Sequence, residues 1–262
     1  MIIGCIMTLN NEIYIENALK SLSSVSDRIV VVDGGSSDST ADICRNYTDE
    51  IIINKWPGNH SEQRNIYLNY IKRNYPTSWC FNLDSDETIE PSKSKVISEL
   101  CKIETTRFYW FPRKWLVHVD PIAYISSSPH FPDWQLRLFK VHKRTEYGGL
   151  IHENLTGKSF LHKISGIPYV KLLGKKIMDF DIFHLDLILN SYDRRKEKAQ
   201  KYESMERGSG GRNYYLPEDF STGISVTLDS HAKPIITNST LRAIEANKQH
   251  WNSYLATKVN VF

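Results

Sequence analysis

What most constrains this chain is the alternation of short apolar runs with amphipathic stretches across roughly its first hundred residues. Residues 2–8, 28–33, 50–54 and 78–83 read as strands, and the continuously apolar ones among them need both faces covered. Helical patterns lie between them: Ile15, Leu19 and Leu22; then Ala41, Ile43 and Cys44 behind a capping Asp38; then Ile66, Tyr67, Tyr70 and Ile71 within 61–74. Strands joined by helices run parallel through right-handed crossovers. The pattern therefore predicts a doubly wound α/β half whose ligands sit at the carboxyl ends of strands one, two and four.

Those ends carry polar residues: Thr8, Asn10 and Glu12 after strand one, Asp33 after strand two, and Asp84-Ser85-Asp86-Glu87 after strand four. No glycine lies between Gly4 and Gly34, so the G-x-G-x-x-G turn of a dinucleotide fold is absent, as is a P-loop ending in Gly-Lys-Ser/Thr. Phosphate would then be neutralised by something other than a glycine cradle. A hard Mg²⁺ or Mn²⁺ ion on carboxylates is the natural substitute, and side chains at i and i+2 of an extended segment point to one side, as Asp84 and Asp86 would.

Four ordered motifs, Ile3 to Glu12, Val30 to Thr40, Gln63-Arg64-Asn65 and Asn82 to Glu87, resemble those of family 2 glycosyltransferases with the GT-A fold. The resemblance implies a Rossmann-like, mostly parallel sheet flanked by helices, with a smaller acceptor-side region and a C-terminal helical appendage. It implies that Asp33 recognises the base of a nucleoside-diphosphate sugar, that Thr8, Asn10 and Glu12 line the nucleoside pocket, and that Arg64 faces the donor, with Gly35 and Ser85 in the same binding set. Asp84 would contact ribose or metal, and Asp86 would hold the metal. Residue chemistry is compatible: Asp33 can accept from a uracil N–H, and an arginine offers a diphosphate a bidentate fork.

Beyond residue 104 the alternation fades. Residues 107–111 and 133–140 read as strands, and Tyr147 to Glu153 contains a Gly-Gly turn. Arg137-Leu-Phe139 and His152-Glu153 resemble the R-L-F and H-E motifs of a glycosyltransferase subset that includes lipopolysaccharide-core enzymes. That places Glu153 first as the catalytic base of an inverting displacement, with Asp133 as its rival. His184, at the end of an apparent strand 180–184, would complete the metal site, His162 being the alternative among nine histidines. Residues 187–205 read as one helix whose Arg194, Arg195, Lys196 and Lys198 form a solvated face or meet an anionic acceptor or membrane surface. The expected division is a catalytic domain over 1–205, with a donor half 1–103 and an acceptor half 104–205, then a segment 206–262 with one helix near 239–255.

Composition narrows the function further. Lys+Arg 33 against Asp+Glu 30 is too balanced for a nucleic-acid partner. Cys5, Cys44, Cys80 and Cys101 show no metal or disulfide spacing and read as buried reduced thiols. No stretch nears the roughly 20 apolar residues of a membrane span, and the apolar start lacks a basic leader, so the expected location is cytoplasmic, at most against the inner face of a membrane. Of the aromatic residues, Trp56, Trp110, Trp115, Trp134 and Tyr124 are candidates to border the cleft, while Phe81 and Tyr67 suit the core. The resulting expectation is a metal-dependent enzyme moving sugar from a nucleotide-sugar donor to a glycan or glycolipid acceptor. A sugar-nucleotide nucleotidyltransferase, which usually carries a Gly-rich loop after strand one, and a non-catalytic carbohydrate-binding module are the alternatives.

Overall fold

The structure is a computed structural model that describes residues 1–149, 154–157, 174–205, 210–221 and 223–258. Its first part follows the alternation: β1 (Ile2–Thr8), α1 (Ile15–Val25), β2 (Arg28–Asp33), α2 (Thr40–Arg45), β3 (Ile51–Ile53), α3 (His60–Asn74) and β4 (Trp79–Asn82). β1 pairs in parallel with both β2 and β4, and β2 with β3. The unbroken apolar runs have a direct cause. Ile2 and Ile6 of β1 and Ile29 and Val31 of β2 enter one core layer with Leu19 and Phe81, while Ile3, Cys5, Val30 and Val32 enter the layer on the opposite face with Tyr67 and Leu68.

The second part turns the sheet antiparallel. After β5 (Glu87–Ile89) and α4 (Ser94–Leu100) come β6 (Phe108–Val119), β7 (Ile122–Ile125) and β8 (Asp133–Lys140). β8 lies antiparallel between β4 and β6, so the two halves share one sheet. β9 (Thr145–Gly148) and β10 (Asn154–Gly157) form a separate hairpin, and β11 (Gly174–Lys176) and β12 (Ile182–His184) each pair with β6. The fold class is thus the expected α/β arrangement of one sheet flanked by helices, parallel through β4-β1-β2-β3 and mostly antiparallel beyond β4.

Three elements depart from the sequence reading. The strand expected at 107–111 continues as β6 to Val119, because cross-strand partners on β8 and β7 extend past Pro112. The single helix expected over 187–205 is two, α5 (Asp186–Leu189) and α6 (Tyr192–Met205). Asn190 is extended at ψ 135° and Ser191 Oγ accepts from Arg194 N at 3.4 Å, a local capping arrangement that competes with helix continuation. Within 206–262, α7 (Gly211–Tyr215) and α8 (Asn238–Lys258) flank β13 (Val226–Asp229), which joins the sheet beside β7. Ile244 and Trp251 of α8 pack into a third core cluster with Trp115, Phe183 and Leu187. Among the described residues no helix is long and apolar enough to cross a membrane.

Candidate active site

The loops after β1 and β2 are tied together by short-range polar contacts. Thr8 Oγ1 donates to Asn11 Oδ1 at 2.9 Å, and Glu12 Oε2 accepts from Ser39 N at 2.9 Å. Asn10, left-handed at φ 53°, accepts at Oδ1 from Ser37 N at 2.8 Å. Asp33 is buried, and its Oδ1 accepts from Ser36 N at 3.1 Å and Ser36 Oγ at 2.6 Å. Gly35 has φ 92°, a conformation for which glycine is the natural residue, and the space above it is open. Together these residues make a shelf at the carboxyl ends of β1 and β2.

Beside the shelf opens a cleft of about 560 Å³, walled by the ends of β4, β6, β8 and β12 and by α6 and α7. Its floor is a charge-matched cluster. Asp84 is gripped by Arg64 of α3 at 2.5 Å and by Arg137 of β8 at 2.6 Å. Arg137 also binds the buried Glu87, which meets Arg113 of β6 at 3.1 Å. Arg113 reaches Asp133 through Nη2 at 2.7 Å and Nε at 2.8 Å. Three guanidiniums thus balance three carboxylates. Burial works against ionisation of Asp84, but Arg137, Arg64 and Arg113 outweigh it and hold its carboxyl well below the usual range. The same opposition operates at Asp133, where burial is overcome by Arg113, by Trp115 Nε1 donating at 2.9 Å and by Gln135 Nε2 donating at 2.7 Å.

Asp86 has different company. The backbone bond from Leu185 N to Asp86 O at 2.9 Å docks the segment after β12 against it, and His184 Nε2 lies 3.4 Å from Asp86 Oδ2. Burial again opposes the charge, and His184 and Lys198 lower the Asp86 carboxyl despite it. His184 Nδ1 is buried without a hydrogen-bond partner, and the ring packs 4.1 Å from that of Trp115. One carboxylate oxygen and one imidazole nitrogen converging at this distance fit a divalent ion of the Mn²⁺ or Mg²⁺ kind, with its remaining positions open to phosphate oxygens and water. Among the described residues no third His, Cys, Asp or Glu joins them. Asp84, by contrast, has both oxygens committed to arginines.

Of the sequence candidates, the fold gathers Arg64, Asp84, Ser85, Asp86, Asp133 and His184 around the cleft, while Thr8, Asn10, Glu12, Asp33 and Gly35 form the adjoining shelf. Glu153 and His162 lie outside the described residues. Trp115 and Trp134 border the cleft, and Trp56 packs edge-on to His60 at its margin. Tyr124 is instead buried in one core cluster, and Trp110 packs half-buried against another, because of the direction their strand positions face. The basic run on α6 is not uniformly solvated: Arg194 and Lys196 are exposed, but Arg195 is fully buried against Glu218 and Lys198 faces the cleft. The four thiols are free, with Cys101 only half-buried.

Arg113, Arg137 and Glu87 are the site residues that sequence reasoning assigned no individual role, and Lys198 was read only as part of a basic helix face. A signal existed for Arg137, since it shares strand parity with Asp133 and Gln135 and so must point to their face of the sheet. Arg113 carries no short-range signal, because its partners Glu87 and Asp133 lie on other strands, and Glu87 has only a local bond from Asp84 N at 3.0 Å, which does not foretell its arginines.

Comparison with known proteins adds independent findings. The sequence profile described as "Glycosyl transferase family 2" matches residues 5–157. The lipopolysaccharide core biosynthesis glycosyltransferase LpsC of Rhizobium meliloti is 31% identical over 100 residues, 36% of this chain and 35% of that protein. A glycosyltransferase of Rickettsia typhi is 27% identical over 84 residues, 32% of this chain and 27% of that protein. The matches therefore span about a third or less of these relatives. Among solved structures, Staphylococcus aureus TarS 1–349 aligns over 83% of this chain and 69% of its own, at 16% identity and a TM-score of 0.42. Mycobacterium tuberculosis glucosyl-3-phosphoglycerate synthase, in complex with Mn²⁺, UDP and glucosyl-3-phosphoglycerate, covers 44% of each chain at 19% identity and a TM-score of 0.35.

Proposed function

The chain belongs to glycosyl transferase family 2, and from that premise we propose that it moves a sugar from a nucleoside-diphosphate donor, UDP-linked, to a hydroxyl of a glycan or glycolipid, with inversion. The observation that carries the reading is the juxtaposition of Asp86 and His184 beside an arginine cluster that is already charge-balanced. Arginines neutralised by Asp84, Glu87 and Asp133 leave little free positive charge for a diphosphate, so a further cation is required at the open end of the cleft. Asp86 and His184 would hold Mn²⁺ or Mg²⁺ there, and the ion would supply Lewis-acid charge to the departing diphosphate. The lipopolysaccharide-core assignment carried by the name of LpsC supports a glycolipid acceptor.

The chain's own groups divide the remaining work. Asp33 receives the base N–H on the shelf, with Thr8, Asn10, Glu12 and Gly35 shaping its walls. Arg64 and Arg137 fix Asp84 at the cleft floor, where Ser85 lies beside it. Asp133 accepts N–H donors from Arg113, Trp115 and Gln135 and is held below the ordinary carboxylate range, which makes it a weak proton acceptor. Asp133 therefore orients Arg113 and Trp115, and the base role falls to Glu153. In one displacement, the acceptor oxygen bonds to the anomeric carbon, the bond from that carbon to the phosphate oxygen breaks toward phosphate, and the acceptor proton passes to Glu153.

A thermal-shift panel of UDP-, GDP- and dTDP-sugars with and without Mn²⁺ tests the donor assignment, since a ligand of the native state raises the melting temperature. UDP-sugars are expected to stabilise only with the metal present. No shift with any of them refutes the reading. For the base, Glu153→Gln is expected to retain donor binding and lose transfer; if Asp133→Asn alone does so, the roles exchange.

A further inference from the structure

Lys198 stands out from the other cations of the cleft. The three arginines are engaged by carboxylates of the floor, Arg64 by Asp84 and Arg113 and Arg137 each by more than one, whereas Lys198 reaches the cleft from α6 and pairs with Asp186 beside Asp86. Its ammonium lies 2.6 Å from Asp186 Oδ1, 3.9 Å from Asp86 Oδ2 and 4.5 Å from the centre of the Tyr215 ring, and its side chain is 31% exposed. Asp186, the first residue of α5, is itself 1% exposed, and its Oδ2 has no hydrogen-bond partner. A carboxylate so deeply desolvated costs free energy unless a cation accompanies it. Lys198 is that cation, and Asp186 in turn fixes the ammonium at the mouth of the Asp86 seat. Lys198 occupies the same helical face as Arg195, Ala199 and Tyr202, so α6 packing determines its direction.

We propose that Lys198 contacts the β-phosphate of the bound nucleoside diphosphate and stabilises it as a leaving group, with Asp186 as the positioning residue. The inference rests on the reading of the cleft as a nucleotide-sugar site. An ammonium has three donors and a flexible four-carbon stem, so it can keep Asp186 on one N–H and offer another to a phosphate oxygen. As the C–O bond to the sugar breaks, an electron pair moves onto that diphosphate. A fixed positive charge beside Asp86 then lowers the energy of the charged product more than that of the intact donor.

The test compares UDP with UMP, which lacks the β-phosphate, by titration calorimetry in Mn²⁺ with wild-type, Lys198→Met, Lys198→Arg and Asp186→Asn proteins. Loss of one charge-assisted hydrogen bond predicts a roughly tenfold or greater loss of UDP affinity in Lys198→Met. UMP affinity should stay within about twofold, Lys198→Arg should recover most of the loss, and Asp186→Asn should fall between. Equal weakening of UDP and UMP, or no change in either, overturns the proposal while leaving the glycosyltransferase reading intact. A wild-type protein that binds neither nucleotide refutes that reading, and the proposal with it.

Discussion

The shelf after β1 and β2 and the floor of the cleft both present carboxylates, but they hold them by opposite means. On the shelf, Asp33 is satisfied three residues away through Ser36, and Asp38 takes Thr40 N two residues away, with Glu12 N of the neighbouring loop as a second donor. On the floor, Asp84 and Glu87 depend on Arg137 from 53 and 50 positions along the chain, and Asp133 on Arg113 at 20. Turn chemistry of the first kind forms with the loop itself. Charge matching of the second kind exists only once β6 and β8 have paired, so the floor reports whether the two halves are correctly joined.

The largest effect expected from breaking this contrast is on stability. Arg137→Met leaves Glu87 buried with only Arg113, and should cost about 3–5 kcal/mol, read as a lowered midpoint in urea denaturation. A cost under about 1 kcal/mol would show that the network is not the joint between the halves. Next is Asp86→Ala, for which Mn²⁺-dependent transfer should drop by about 100- to 1,000-fold with little change in melting temperature. Turnover unaffected by that change would remove the metal seat from Asp86. Asp33→Asn preserves the turn but presents an amide to the base, and about a tenfold loss of UDP affinity is expected by calorimetry.

The smallest effect concerns acid. Asp84 and Asp133 titrate below their unfolded range, so the stability they confer is complete above about pH 4 and is lost as pH falls through their folded values. Melting temperature should thus change little between about pH 7 and pH 5 on account of these groups and decline below about pH 4, with a shallower decline in Asp133→Asn. An identical acid limb in that variant would assign the decline to other carboxylates.

Legibility followed the same division. Strands 2–8 and 28–33 and the helix beginning near residue 60 were readable because the sheet buries both faces and the helix starts at a capping Asn59, whose side chain accepts from Glu62 N. Arg195 was not readable as a buried residue. It lies in a basic run, and only the fold brings Glu218 and Tyr215 O to its guanidinium. The same holds for Trp110 and Tyr124, whose rings suited a sugar face until the strand register turned them against core clusters.

By itself, the sequence determined the α/β alternation, the polar strand ends at Asp33 and Asp84 to Asp86, and the motifs that mark the family, because periodicity and turn chemistry act over a few residues. The tertiary structure alone decided that Asp84 is bound by arginines while Asp86 faces His184 and Lys198. Two carboxylates a single residue apart diverged because their partners arrive from β8, β12 and α6, and electrostatic pairing depends on distance in space and on exclusion of water.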